Sequence, residues 1–232
     1  MNLIEEAKSL MENKKVQEAS SNFLEDAIES LLGNPVAAVK LMIGIHKAPF
    51  FIREQIFWTK FEMFLSGVYI SDEDRANFSR LLTEDGRNRD NSYRLLACIE
   101  RAETKNKIQY LINASRALLA GYIDLNDYFR ICHQVTHNLD EDVCFLKENL
   151  TNEHISYNYS IEGLLSSGLM YQSGINANEG HEGQSYAFTA IAEIVDRFAL
   201  SYGDVDRYPN PLSSSKIDKQ KITIEGVTAR FG

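Results

Sequence analysis

The chain is poor in the features that usually mark a reactive centre. In 232 residues it has one tryptophan, four prolines and three cysteines. Cys98, Cys132 and Cys144 are odd in number and none is spaced Cys-x-x-Cys, so neither a closed disulfide framework nor a zinc spacing is expected. All three fall in helical patterns and read as buried reduced thiols of a cytoplasmic protein. There is no Gly-x-Ser-x-Gly elbow, no Walker-type phosphate loop and no Gly-x-Gly-x-x-Gly fingerprint. Carboxylates are plentiful, but no pair stands in an aromatic or glycine-rich setting that suits general acid and base work. Long hydrophobic runs are also missing. The longest, around Val36, covers about ten residues, where a spanning helix needs about twenty. The N-terminal stretch MNLIEEAKSLMENKK is acidic and amphipathic, unlike a signal peptide.

Positive charge is scarce too. Lys and Arg number 24 against 33 Asp and Glu, a net charge of −9 with a pI near 5.1. Such a balance favours solubility and repels nucleic acid and anionic lipid. No basic block breaks the pattern.

What is present is helical periodicity. Leu3, Ala7, Leu10 and Met11 share a face, as do Leu24, Ala27, Ile28, Leu31 and Leu32. Gly33-Asn34-Pro35 reads as a C-cap, a turn and a first helical position. Val36 to Ile45 is apolar on nearly every side, with Lys40 the exposed exception, so that helix is expected to be central. A longer helix follows Pro49, with Ile52, Ile56, Phe57, Phe61, Phe64 and Leu65 as its stripe. Ser71-Asp72-Glu73-Asp74 is a capping box. Residues 83–91 (TEDGRNRDN) read as a polar loop. Further stripes run through Tyr93, Leu96 and Ile99; through Ile108, Leu111, Ile112, Ser115, Leu118 and Leu119, ended by Gly121; and, capped by Asp124, through Leu125, Tyr128, Phe129, Cys132, Val135 and Leu139.

Composition shifts near residue 151 toward Gly, Ser, Asn and Tyr. A short helix at 161–167, a turn into a strand at Gly168–Tyr171, a polar loop at 173–183, a strand at 185–188 and a helix at 190–200, capped by Thr189, follow in that order. This resembles the strand-wing-strand part of winged-helix domains. Pro209 to Ser215 is a linker, and Ile222, Ile224 and Val227 are candidates for a last strand. The expected fold is mainly α: a helical bundle over residues 1–150, a small winged-helix-like α+β appendage over 151–205, and a linker and tail over 206–232. DNA binding by the appendage is disfavoured by charge, since residues 151–205 carry seven acids and one base, Arg197, a net of −6.

Three segments, NPVAAVKLMIGIHKAPFFIREQIFWTKFEMFL, RLLACIERAETKNKIQYLINASRALLAGYIDLNDYFRICHQV and IEGLLSSGLM…YAFTAIAEIV, occur in that order. Together they resemble a loosely defined group of uncharacterised bacterial and phage-borne helical proteins. The matching positions are Pro35, Gly44, Lys47, Ile52, Arg53, Glu54, Arg101, Ala102, Gly121, Ile123, Gly163, Leu164 and Gly168. The resemblance implies a helical core with a C-terminal wing and a role in phage–host conflict; it implies no activity.

The functional expectation is a non-enzymatic, cytoplasmic protein-interaction or regulatory protein without a cofactor, which binds a partner or itself. Its contact residues are expected in the aromatic-rich stretch: Phe50, Phe51, Arg53, Phe57, Trp58 and Phe61. Two alternatives accompany it. Residues 36–51 could insert into a membrane surface. The chain could be a metal-dependent enzyme: His133 and His137, four apart on one helical face, could bind a metal with Asp140, although Gln134 stands where a metalloprotease helix carries Glu. His46 and Lys47 read as cations that complement the dipole at a helix C-terminus, His181 reads as a surface group, and His154 has no companion.

Overall fold

A computed structural model describes residues 3, 6, 23–47, 52–84, 86–152, 155, 157–175 and 184–209. Phe50, Phe51, His154, His181, most of the first predicted helix, the 176–183 loop and the tail strand at 222–227 lie outside them. The side chains of His46 and Arg53 do as well.

Among the described residues the fold is mainly helical with one two-stranded sheet. The helices are α1 (Phe23–Leu31), α2 (Pro35–Lys47), α3 (Ile52–Val68), α4 (Asp72–Thr83), α5 (Asn88–Arg101), α6 (Lys105–Leu119), α7 (Leu125–His137), α8 (Asp140–Asn149), α9 (Tyr159–Ser166) and α10 (Ala190–Val195). Strands β1 (Met170–Ile175) and β2 (Gln184–Phe188) pair antiparallel between α9 and α10. Met170 faces Phe188 and Gln172 faces Tyr186, and a bulge between Gln172 and Gly174 shifts the register. The order helix, strand, strand, helix is as the sequence predicts.

Local chemistry explains the boundaries. Gly33 has φ 86° and the Asn34 amide donates to Glu29 O, so α1 ends in a left-handed turn that glycine accepts without strain. Asn34 Oδ1 then accepts the Val36 amide, and Pro35 opens α2. Ser71 Oγ accepts the Asp74 amide at 3.0 Å. The reciprocal half of the capping box is absent, because the Asp74 carboxylate pairs with Arg116 at 2.8 Å instead. Asp124 Oδ1 accepts the Asp127 amide, as predicted for α7.

Five expectations need correction. The polar loop is shorter than predicted: α5 already begins at Asn88, and Asn91 and Ser92 are buried. Asn91 is drawn inward because its amide closes the end of α4 by donating to Leu82 O. Along α3, Phe61, Phe64 and Leu65 are core, but Ile56 is 52% exposed. In α2 it is Val36 that is exposed, while Lys40 is half-buried. Leu139 leaves the α7 stripe and stands exposed before α8. Thr189 holds the N-cap position of α10, but its side chain makes no capping bond; its hydroxyl donates to Gly168 O and Leu169 O, closing the base of the hairpin. The last helix also changes pitch at Asp196, where a π turn spans Asp196–Leu200.

The central helix is α6, which packs on α3, α4, α7 and the π turn. Its Ile108, Leu111, Ala114 and Ala117 lie in one apolar core with Phe61, Phe64, Phe78 and Tyr128. The same core runs on through Ile161, Leu164, Met170, Val195 and Phe198 of the C-terminal unit. A satellite of Ala38, Val39 and Met42 on α2 joins it through Trp58. No helix among the described residues is long and apolar enough to cross a membrane.

Candidate functional site

A groove of about 340 Å³ opens between α1, α3 and α5. Phe23, Leu24 and Ala27 of α1 form one wall, Tyr93, Leu96, Ala97 and Glu100 of α5 the other, and Phe57 of α3 closes one side. The residues of α5 recur at three- and four-residue spacing and so present one ridge. Phe23 is 39% and Leu24 43% exposed, so the groove leaves large apolar side chains in water.

The groove has a rigid aromatic base. The Phe23 and Phe57 rings lie 5.6 Å apart, Phe57 stacks on Phe61 at 5.5 Å, and Phe61 meets Trp58 at 6.0 Å. A ladder of rings therefore runs from solvent to the main core. At one edge the Lys60 ammonium donates to Glu100 O at 2.9 Å, clamping α3 to α5. Its proton affinity is lowered chiefly by burial, against the pull of Glu100 and Glu103.

The predicted contact residues divide. Phe57 lines the groove, Trp58 is half-buried between the two apolar clusters, and Phe61 is fully buried core. Phe61 is thus removed from any contact surface: at position 61 the α3 stripe points into the core, not outward. The groove residues the sequence reading missed are Phe23, Leu24, Tyr93 and Ala97. Leu24 and Tyr93 stood in helical stripes, which marked them as core, and Phe23 and Ala97 stood in none; that α1 and α5 stand apart at that point is a tertiary fact.

The histidine pair is brought together. The His133 and His137 rings stack with centroids 4.1 Å apart, and both are exposed. Asp140 is engaged elsewhere, its Oδ1 accepting the Thr104 hydroxyl. Among the described residues no group of three or more His, Cys, Asp and Glu could hold a metal ion, so the third and fourth ligands of a metal centre are not supplied. Cys98 and Cys132 are buried and Cys144 half-buried, all free. Burial raises all three thiols, which keeps them protonated and unreactive at neutral pH.

A second polar cluster surrounds Asp196, which is fully buried. Its Oδ1 accepts the Ser201 hydroxyl, and its Oδ2 accepts the Tyr208 hydroxyl and pairs with Arg207 at 2.8 Å. Fully buried and engaged by three side chains, this carboxylate is not open to a substrate. The cluster is a structural clasp between the π turn and the residues that follow it.

No family model, no curated protein and no solved structure matches this chain.

Proposed function

We propose that the protein is a binding module that recognises an amphipathic helix of a partner protein in the α1/α3/α5 groove. The observation that carries this reading is the groove itself: exposed Phe23 and Leu24 facing the α5 ridge across a floor of packed rings. Helices dock into such grooves through apolar anchors at three- and four-residue spacing. The small, partly exposed Ala97 side chain on the α5 wall lets a backbone approach closely. Aromatic walls give contact area at little entropic cost, because few rotors must freeze. A partner other than a second copy is favoured by the net charge of −9, which opposes self-association. Three free thiols suit a reducing, cytoplasmic setting.

A helical peptide library displayed against the intact protein tests the reading. Enriched sequences should be amphipathic, and their binding should fall at least about tenfold, or about 1.4 kcal/mol, in Leu24→Glu and in Ala97→Arg. Circular dichroism of both variants should match the parent. Enrichment that is indifferent to both substitutions would contradict the proposal.

A further inference from the structure

The face of the molecule formed by α5 and α7 reverses the charge of the chain. Arg94 and Arg101 are seven residues apart on α5, two turns along one stripe. Arg130, His133 and His137 share a stripe on α7 by the same spacing. The two helices pack side by side, and all five side chains are exposed. The seam between them is built: the Arg94 guanidinium sits 3.9 Å from the centre of the Phe129 ring, and the two imidazoles are stacked. Among the described residues none of the three arginines enters an ion pair, whereas Arg75, Arg116 and Arg207 all do. Three guanidinium groups are therefore left unneutralised on one face of an acidic protein.

We propose that this face binds an acidic segment of a partner protein. The inference rests on the reading of the chain as a protein-binding module, though not on occupancy of the groove. Guanidinium forks match carboxylates in bidentate geometry, and charge complementarity selects an anion. The size of the patch selects the kind of anion. Arg94 to Arg101 covers about 10 Å of helix, and acids bound the patch: Asp90 one turn before Arg94, Asp127 three residues before Arg130, and Asp140 three after His137. A nucleic acid relies on many phosphate contacts and would run onto those acids; a short run of Glu or Asp need not. The groove lies on the adjoining side of α5, where Tyr93, Ala97 and Glu100 face it. One partner can place apolar anchors there and carboxylates across Arg94 and Arg101.

The imidazoles make the contact sensitive to pH. His133 is held below the ordinary histidine range, first by burial and then by the positive charge of His137, Arg101 and Arg94. From α5 the groups beside it are Arg94, Cys98 and Arg101; Lys107 of the neighbouring α6 turns its ammonium to Asn138 O. An arriving carboxylate relieves this crowding of cations and favours protonation of His133, so binding strengthens as pH falls.

Fluorescence anisotropy with a labelled oligo-glutamate, at low salt and at about pH 7.5 and about pH 5.5, tests the inference. The parent should bind the peptide in a salt-sensitive manner and more tightly at the lower pH. Arg101→Glu with Arg130→Glu should weaken binding at least about tenfold, and His133→Gln with His137→Gln should flatten the pH response. Equal binding by the parent and the arginine variant would overturn the proposal, as would an oligothymidylate of the same length binding as tightly as the peptide. Leu24→Glu, which disables the groove, should leave oligo-glutamate binding unchanged. Groove peptides bound without any oligo-glutamate binding would sink this inference and spare the groove.

Discussion

Lys107 is a long cationic side chain with no exposure at all. Its ammonium donates to Asn138 O at 2.6 Å and meets Glu103 at 3.2 Å, and that glutamate is 59% exposed. The two contacts differ in worth. An exposed carboxylate is screened and contributes about 0–1 kcal/mol, whereas a buried carbonyl stripped of its donor costs about 1–3 kcal/mol. Lys107→Met should therefore lower unfolding stability by about 1–3 kcal/mol, and Glu103→Gln by less than about 1 kcal/mol, in urea titrations. Equal losses would show that the ion pair, not the carbonyl, is the partner that matters. Nothing in the sequence distinguishes Lys107 from the exposed lysines around it, since its stripe position competes with its charge.

Tyr208 carries a second residue-scale prediction. Burial, and then its hydrogen bond to Asp196, push the phenol up to about 12. An unfolded tyrosine titrates near pH 10. The native state thus favours the protonated phenol; its contribution is complete below about pH 10 and is lost as pH rises toward about 12. Tyr208→Phe should remove that part of the alkaline loss of stability, measured by thermal melts across this range. An alkaline limb identical in the parent and the variant would count against the clasp.

At the scale of elements, caps and glycines were legible because their physics is local. Gly33 and Gly121 have positive φ where the sequence placed helix ends, and Ser71 and Asp124 cap as expected. The errors fall where tertiary contact overrides pattern. Asn91 looked like loop and is pinned under α4; Ile56 looked like core and faces water. Gly67 shows a constraint that no local rule reveals. A Cβ there would lie 2.7–3.0 Å from three atoms of Ile112, so α3 and α6 touch through the missing side chain. Alanine would gain about 1 kcal/mol of helix propensity but overpack a buried contact at a cost of about 1–3 kcal/mol. Gly67→Ala should be net destabilising in the parent and neutral or favourable in an Ile112→Ala background. Additive effects in that cycle would deny the close approach.

At the scale of the whole molecule, one core joins the bundle to the C-terminal hairpin, and the surface carries two departures from an ordinary acidic exterior. The groove was half legible: the aromatic density of α3 pointed to its floor at Phe57, but the walls come from α1 and α5, 30 or more residues away on either side. The basic face was not legible, because its five residues are spread between positions 94 and 137 and only the packing of α5 on α7 gathers them. Composition reported the average charge and missed its distribution.

The central claim is that the α1/α3/α5 groove is a docking site for another protein. The most direct measurement isolates the tagged protein and its Leu24→Glu variant from the cells that produce it natively and compares what travels with each in stoichiometric amount. The account predicts a helical partner retained by the parent, lost from the variant, and cross-linked to a photoreactive residue placed at position 24. A parent that is recovered alone, or a partner retained equally by both proteins, would contradict it.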